Sequence, residues 1–168
     1  HLKKADFLLA TGDTLGALVP LRKAEQTALV ESTWRTARLA RWALESRFDA
    51  LAKALLGKVT GRTALEATSW LDELEALRTQ AEGEAQMRIV AYLIGKALWG
   101  AHDGVGAGAA LALATPPELP LIEPRFDKEL WRTRFFAALA AEQGELARSL
   151  IPELKRQPFS TAERWALN

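Results

Sequence analysis

Only a few side chains of this 168-residue chain have a type and spacing that suggest chemistry. His102 is followed directly by Asp103, and a carboxylate beside an imidazole can orient it for base catalysis or metal binding. The chain has one other histidine, His1, and no cysteine, so the pair lacks partners for a metal site or a catalytic set. We interpret the pair as part of a turn, and we expect no catalytic residue, no metal site and no cofactor.

Three glycines form a second candidate for chemistry: Gly104, Gly106 and Gly108. A glycine-rich loop can hold a phosphate when it follows a strand and opens a helix. No strand pattern precedes these glycines, and no Lys-Ser or Lys-Thr follows them. The pattern therefore predicts a small, glycine-rich connection over 100–108 that turns into a closely packed short helix over 109–114.

Arginine and tryptophan alternate along one segment, at Trp34, Arg35, Arg38, Arg41 and Trp42. Basic side chains interleaved with aromatic ones can bind nucleic acid by phosphate contacts and stacking. The net charge of the chain is only +1, and Glu31 and Glu45 lie at either end of the segment. We therefore disfavour nucleic acid as a partner and expect the tryptophans to pack beneath the arginine stems.

The composition favours a globular, helical protein. Hydrophobic residues make up 49% of the chain and charged residues 26%, and Ala and Leu dominate while β-branched residues are scarce. No apolar run reaches the length of a membrane span. The absence of cysteine leaves the compartment open, with the cytoplasm as the default expectation. We expect a single domain over 1–168, and the start at His1 and the end in an apparent new helix suggest a fragment of a longer chain.

Helical apolar spacing covers most of the sequence. It predicts helices over 1–11, 14 onward with a kink or restart at Pro20, 31–45, 48–56, 62–81, 84–99, 109–114, 125–142 and 146–156. Gly57 is the expected cap at the end of the 48–56 helix, and Ser160 is expected to cap a last helix. Prolines concentrate in 115–125, which predicts an irregular connection. No strand is expected.

The stretch 142–156 repeats the pattern of 10–23, with Gly144 aligned on Gly12. The offset of 132 residues is four times 33, and such periods are typical of stacked helical repeats. Two further interruptions of the helical pattern, at Ser46 and Gly104, are interpreted as the start of the same repeat unit; with Gly12 and Gly144 they are its four anchors. Seven positions before these anchors stand Ala5, Leu39, Ala97 and Ala137, and five positions after them stand Ala17, Leu51, Ala109 and Ser149, so small residues fill three of the four places in each set. We expect them where two antiparallel helices cross.

This pattern resembles the tetratricopeptide repeat, a helix, a Gly-Asp-type turn and a second helix with Ala near its start. The closest match is Gly12-Asp13 with Ala17, Leu21 and Ala24. The resemblance implies an all-α fold of stacked antiparallel helical hairpins, a right-handed α-solenoid. It also implies that the first helices of the hairpins line a concave groove that binds a peptide.

Carried over by position, that groove includes Thr36, Ile94, Leu98, Trp131 and Arg134. Arg134 is the candidate for a carboxylate of the partner, because its guanidinium donates two parallel hydrogen bonds. We expect a non-enzymatic interaction module or scaffold that binds a protein or peptide, with oligomerisation left open. Two alternatives remain: a ligand-sensing or oligomerisation domain of a transcriptional regulator, and an accessory domain of an enzyme.

Overall fold

The structure, a computed structural model, describes residues 1–61, 67–114, 124–157 and 159. These residues confirm the all-α prediction, and no strand occurs among them. Their helices are α1 (Leu2–Ala10), α2 (Thr14–Thr27), α3 (Glu31–Glu45), α4 (Asp49–Thr60), α5 (Ala67–Gln80), α6 (Gly83–Gly100), α7 (Gly104–Ala114), α8 (Pro124–Ala140) and α9 (Gly144–Arg156).

The chain divides into two compact units, His1–Ile89 and Val90–Asn168, and the boundary falls within α6. In the first unit α1 packs against α2 and α4, and α3 packs against the same two helices. These four helices therefore close into a ring in which each has two neighbours, as in antiparallel bundles. In the second unit α8 packs against both α7 and α9. The right-handed solenoid and the single domain over 1–168 stay predictions.

The interior of the four-helix ring is made of leucine and alanine. Leu9 of α1, Leu21 of α2, and Leu51 and Leu56 of α4 are almost completely buried, and Leu39 of α3 is only 4% exposed. A polar contact joins α1 to α4, where the Thr60 hydroxyl donates to the Asp6 carboxylate at 2.9 Å. Asp6 is only 6% exposed, so this bond helps to satisfy a buried charge that would otherwise destabilise the ring.

Four three-residue turns share one backbone geometry. The second residue of each turn has a positive φ: 88° at Gly12, 59° at Arg47, 63° at His102 and 57° at Glu142. The N–H of the third residue donates to a carbonyl five residues earlier, as Asp13 does to Leu8 at 2.9 Å and Gln143 to Ala138 at 2.8 Å. This is the Schellman ending of a helix. It reverses the chain direction after α1, α3, α6 and α8.

The structure corrects the register of the sequence repeat. The equivalents of Gly12 are Arg47, His102 and Glu142, whereas the sequence pattern selected Ser46, Gly104 and Gly144. In the true register an alanine follows five residues later in all four hairpins: Ala17, Ala52, Ala107 and Ala147. All four alanines are buried. Seven residues before the positive-φ residue stand Ala5, Ala40, Gly95 and Phe135. Only the last hairpin therefore has a large side chain at this position.

Several predicted boundaries were wrong. The helix expected to end at Gly57 continues to Thr60, and Gly61 with φ 77° takes the capping position instead. Of the kink or restart expected at Pro20, the restart does not occur, because α2 continues through this residue. The glycines expected in a connection over 100–108 lie in α7 from Gly104 onward. The predicted Ser160 cap, the 62–66 part of the predicted 62–81 helix and residues 115–123 of the Pro-rich connection lie outside the described residues.

Candidate functional site

Two of the predicted partner-binding residues, Trp131 and Arg134, lie together on α8. The guanidinium of Arg134 lies over the indole of Trp131, 5.5 Å from the ring centroid. Trp131 is half-buried and packs against the cluster formed by Ala138, Ala147 and Leu150 between α8 and α9. Burial lowers the pKa of the Arg134 guanidinium from its ordinary value. Both side chains therefore combine a packing role with partial exposure.

A second side of α8 carries residues that sequence reasoning did not select. Arg132, Phe136 and Leu139 follow one another at helical spacing of four and three, so they share one face; we call them the α8 stripe. Arg132 is exposed, Phe136 is half-buried and Leu139 is 47% exposed. The Arg132 guanidinium lies 6.0 Å from the centroid of the Phe136 ring. The stripe thus presents one cation and two apolar groups beside each other.

The core face of α8 explains why these side chains point outward. The helix buries Leu130, Thr133, Ala137 and Ala138. The small residues Ala137 and Ala138 face the neighbouring helices, and the larger Phe136 and Leu139 lie at the side of this buried face. Apolar spacing alone identified the apolar residues of this helix, but it did not separate the buried face from the exposed one. The 132, 136, 139 spacing is visible in the sequence, but it does not indicate which face of the helix its neighbours cover.

The described side chains of α8 include more cations than carboxylates. Between Lys128 and Ala140 the helix has three cationic residues and a single carboxylate, Glu129. Glu129 accepts hydrogen bonds from Lys96 at 2.5 Å and from the Tyr92 hydroxyl at 3.2 Å. That carboxylate is therefore engaged by α6. Within the described part of the chain, Arg132 forms no ion pair.

The other three predicted groove residues are placed differently. Thr36 lies on α3 of the first unit, where its hydroxyl donates to the Ser32 carbonyl at 2.9 Å. Ile94 lies on α6 and is buried, with only 3% exposure. Leu98, one turn further along α6, is half-buried, and its carbonyl accepts the N–H of Asp103 at 3.0 Å. Ile94 and Leu98 belong to the second unit with Trp131 and Arg134.

The arginine-rich segment of α3 is balanced by carboxylates. Glu25 of α2 pairs with Arg38 and with Arg41, each at 2.5 Å. Arg41 also pairs with Glu45 at 2.6 Å. Burial by itself lowers the pKa of Arg41. The hydrogen bonds that Arg41 donates to Glu25 and Glu45, together with the negative charges of these two residues, outweigh that effect, so the pKa of Arg41 is raised. These arginines join α2 to α3.

Two tryptophans flank the same network. The guanidinium of Arg38 lies 5.7 Å from the ring centroids of both Trp34 and Trp42. Trp42 is buried, with 7% exposure, and Trp34 is half-buried. The stacking agrees with tryptophan packing beneath arginine stems, as the sequence predicts.

His102 and the glycines after it form a helix cap. His102 occupies the positive-φ position of the α6–α7 turn. The Asp103 carboxylate accepts the N–H of Gly106 at 2.8 Å, which is the usual role of an N-cap side chain. A Cβ on Gly106 would lie 2.3 Å from that carboxylate, so glycine makes room for the cap. The N–H group that a phosphate would need already has an acceptor.

A cavity of about 510 Å³ opens at one end of the four-helix ring. It lies where α1 and α3 begin and where α2 and α4 end. Its wall includes the apolar side chains of Leu2, Leu29, Val30 and Val59, and the last three are largely exposed.

Two kinds of site are missing from the part of the chain that the structure describes. Its His, Asp and Glu side chains nowhere gather in a group of three that could hold a metal ion. Among its helices, none combines the length and apolar character needed to cross a membrane.

Comparisons with known protein families, with curated proteins and with solved structures find no match for this chain.

Proposed function

We propose that this chain is a non-enzymatic protein-interaction module that binds a peptide or a partner protein through α8. The observation that carries the proposal is the α8 stripe, in which Arg132, Phe136 and Leu139 present a cation and apolar groups side by side. Such i, i+4, i+7 spacing is that of a helix that docks into or beside another helix.

The chemistry of α8 suits recognition. Arginine and tryptophan are the residues that most often contribute binding energy at protein interfaces. Trp131 and Arg134 are half-buried and stacked, so their rotamers are already restricted before a partner arrives. Restricting side chains in advance lowers the entropy lost on binding.

The tetratricopeptide-like arrangement is part of the proposal. Four hairpins with one turn geometry, each followed by a buried alanine five residues later, are what the resemblance implies. In that family the first helix of each hairpin lines the groove, and α8 is the first helix of its hairpin. Thr36 on α3 and Leu98 on α6 also lie on first helices. The right-handed stack of hairpins remains our inference.

A peptide selection tests the proposed function without a known partner. A displayed library of random 16-residue peptides is panned against the protein, and the enriched peptides are synthesised and titrated by fluorescence anisotropy. We expect Leu139→Asp and Trp131→Ala to weaken their binding by about tenfold or more, since truncation at a hot spot costs roughly 2 kcal/mol. The control is Leu113→Asp, because Leu113 on α7 is 60% exposed.

Circular dichroism melts of every variant separate lost binding from lost folding. If enriched peptides bind the α8 variants and the Leu113→Asp control equally well, α8 is not the binding surface. If Trp131→Ala alone unfolds the protein, Leu139→Asp still decides the question, since its side chain is 47% exposed.

A second candidate is a ligand-sensing domain, which the cavity at the end of the four-helix ring favours. Its volume of about 510 Å³ lies within the range of small-molecule sites, roughly 300–1,000 Å³. Val59→Trp should fill part of it. The fluorescence of 8-anilinonaphthalene sulfonate, whose aromatic rings bind apolar cavities, should increase when it is added to the wild type. The increase should be smaller for Val59→Trp. No increase in the wild type would exclude this candidate.

A further inference from the structure

We propose that the partner segment bound by α8 is acidic, an amphipathic helix with carboxylates beside leucine-like side chains. This inference rests on the proposed function and specifies its partner. The juxtaposition that points to it is the α8 stripe, whose cation precedes its two apolar groups by one and two turns.

The charge of the surface is the first step. Arg132 is exposed and stacks on Phe136, and within the described residues it has no carboxylate partner. The single carboxylate of this part of the helix, Glu129, is engaged by Lys96 and Tyr92. An approaching partner therefore meets the exposed Arg132 cation, which no carboxylate among the described residues pairs with.

Among the described residues, the arginines of α9 and α3, unlike Arg132, pair with carboxylates. On α9 the arginines pair within the helix, Arg148 with Glu145 at 2.8 Å and Arg156 with Glu153 at 2.5 Å. On α3 the arginines pair with Glu25 and Glu45. A negatively charged partner would therefore bind to α8 in preference to α3 and α9, and the position of Arg132 would determine the orientation of the bound partner.

The apolar part of the stripe is the second step. Leu139 is 47% exposed and lies one turn after Phe136. Phe136 contacts the ring of Phe135 edge-on, with centroids 5.5 Å apart, so the aromatic surface is held in place. A partner with only acidic residues would leave this surface in water. A helix with leucines on the same face as its carboxylates would cover both parts.

Two synthetic peptides test the inference directly. The acidic probe is a 16-residue amphipathic helix with Leu at i, i+3 and i+7 and Glu on the flanking positions. The matched neutral probe has Gln in place of every Glu. We expect the acidic probe to bind about five- to tenfold more tightly than the neutral one at low salt, and the difference to shrink as salt increases.

Charge reversal then locates the contact. Arg132→Glu should weaken binding of the acidic probe by about tenfold while leaving the neutral probe nearly unchanged. The matched control is Arg148→Glu on α9, which is highly exposed and paired within its own helix; it should have little effect. Equal losses for the two variants would mean unspecific attraction and would overturn the inference.

Two further measurements show whether the α8 stripe binds a nucleic acid or a second copy of the chain instead of an acidic helix. If a single-stranded oligonucleotide displaces the acidic probe and binds more tightly, the surface recognises a polyanion and the acidic-helix inference is wrong. If size-exclusion chromatography shows a dimer that Leu139→Asp dissociates, the stripe is covered by a second copy of the chain, which also overturns it.

The selection described above keeps the two proposals distinguishable. Peptides that are enriched, depend on Leu139 and carry no excess of Asp or Glu would overturn the acidic partner while supporting α8 as the interaction surface. Peptides that ignore every α8 variant would overturn the proposed function itself. Enriched peptides that are acidic and sensitive to Arg132→Glu would support both.

Discussion

At the scale of single residues, the four positive-φ positions show how one backbone geometry can be encoded without one residue type. Only the first turn has glycine there; the others have Arg47, His102 and Glu142. A side chain in the left-handed region costs roughly 1–2 kcal/mol relative to glycine. The hydrogen bonds of the Schellman turn and the packing of the hairpin offset this cost. Glycine was therefore a poor guide to the register of the repeat.

This geometry predicts opposite effects of opposite substitutions. Gly12→Ala should destabilise the protein by about 1 kcal/mol, because φ is 88° and a Cβ would meet no neighbouring atom, so the effect is one of backbone strain alone. Glu142→Gly, at φ 57°, should stabilise it by about 0.5–1 kcal/mol. Urea unfolding monitored by circular dichroism measures both. Changes of the same sign would contradict the shared geometry.

Glu25 provides a second residue-scale prediction. Its carboxylate bridges Arg38 and Arg41, and the three side chains are 9%, 18% and 13% exposed. Glu25→Ala should destabilise the protein by about 2 kcal/mol, since it leaves two poorly solvated cations without this partner. The control is Glu31→Ala, because the Glu31 carboxylate is 68% exposed and pairs with Arg35 on the helix surface; it should change stability by less than about 0.5 kcal/mol.

The pH dependence of the Glu25 effect follows from the guanidinium. The folded pKa of Arg41 is raised above its ordinary value. Its contribution is therefore fully present below the ordinary pKa and is lost only as pH rises through the raised one. The difference between wild type and Glu25→Ala should not fall when neutral solutions are made mildly alkaline. A clear fall in that range would contradict the assignment of the cation to Arg41.

At the scale of elements, small residues decide how closely the helices approach. A Cβ on Gly95 of α6 would lie 2.5 Å from the Leu111 side chain of α7. A Cβ on Gly104 would lie 3.1 Å from the Ala137 carbonyl of α8. The backbones of α6, α7 and α8 are thus near contact distance, and Ala137 has no exposed surface.

Ala137→Trp should therefore destabilise the protein by roughly 1–3 kcal/mol or more, because the crossing between α7 and α8 has no space for an indole. Glu142→Ala is the control; it keeps a Cβ at the same turn position and should change stability by less than about 0.5 kcal/mol. The midpoint of denaturant unfolding reports both. Similar midpoints would mean that Ala137 does not lie at a helix crossing.

The elements also show what the sequence could and could not predict. Helical spacing and Ala/Leu bias were enough for the fold class and for most helices. The sequence predicts a cap at Gly57, because glycine commonly ends a helix, whereas α4 ends at Thr60 and Gly61 takes the capping position. For the candidate site, residue type suggested Trp131 and Arg134. The outward direction of Phe136 and Leu139 depends on which face of α8 the neighbouring helices cover, and periodicity alone does not contain that information.

At the scale of the whole molecule, closure of α1 to α4 into a ring suggests a small unit that buries its own core. Leucines from all four helices meet inside it. Residues 1–61 include every helix of the ring, and chains of that length can fold alone with marginal stability.

A peptide of residues 1–61 should accordingly be helical and unfold cooperatively, with a stability of about 3 kcal/mol or less. Thermal melting by circular dichroism and the dispersion of amide signals by NMR measure this. The matched comparison is residues 1–45, which lack α4 and so leave the ring open; this peptide should lose the cooperative transition. Equal behaviour of the two peptides would mean that contact between α1 and α4 contributes little.

The bond between Asp6 and Thr60 carries a consequence for the order of folding. It joins residues 54 positions apart, whereas the contacts within each hairpin are local. Loop-closure entropy opposes distant contacts until nearer ones have shortened the path between them. We therefore expect the hairpin contacts to be formed already in the folding transition state. The contact between α1 and α4, which closes the ring, should form only after the transition state. Thr60→Val would accelerate unfolding and leave the folding rate almost unchanged, a φ-value near zero in stopped-flow chevrons.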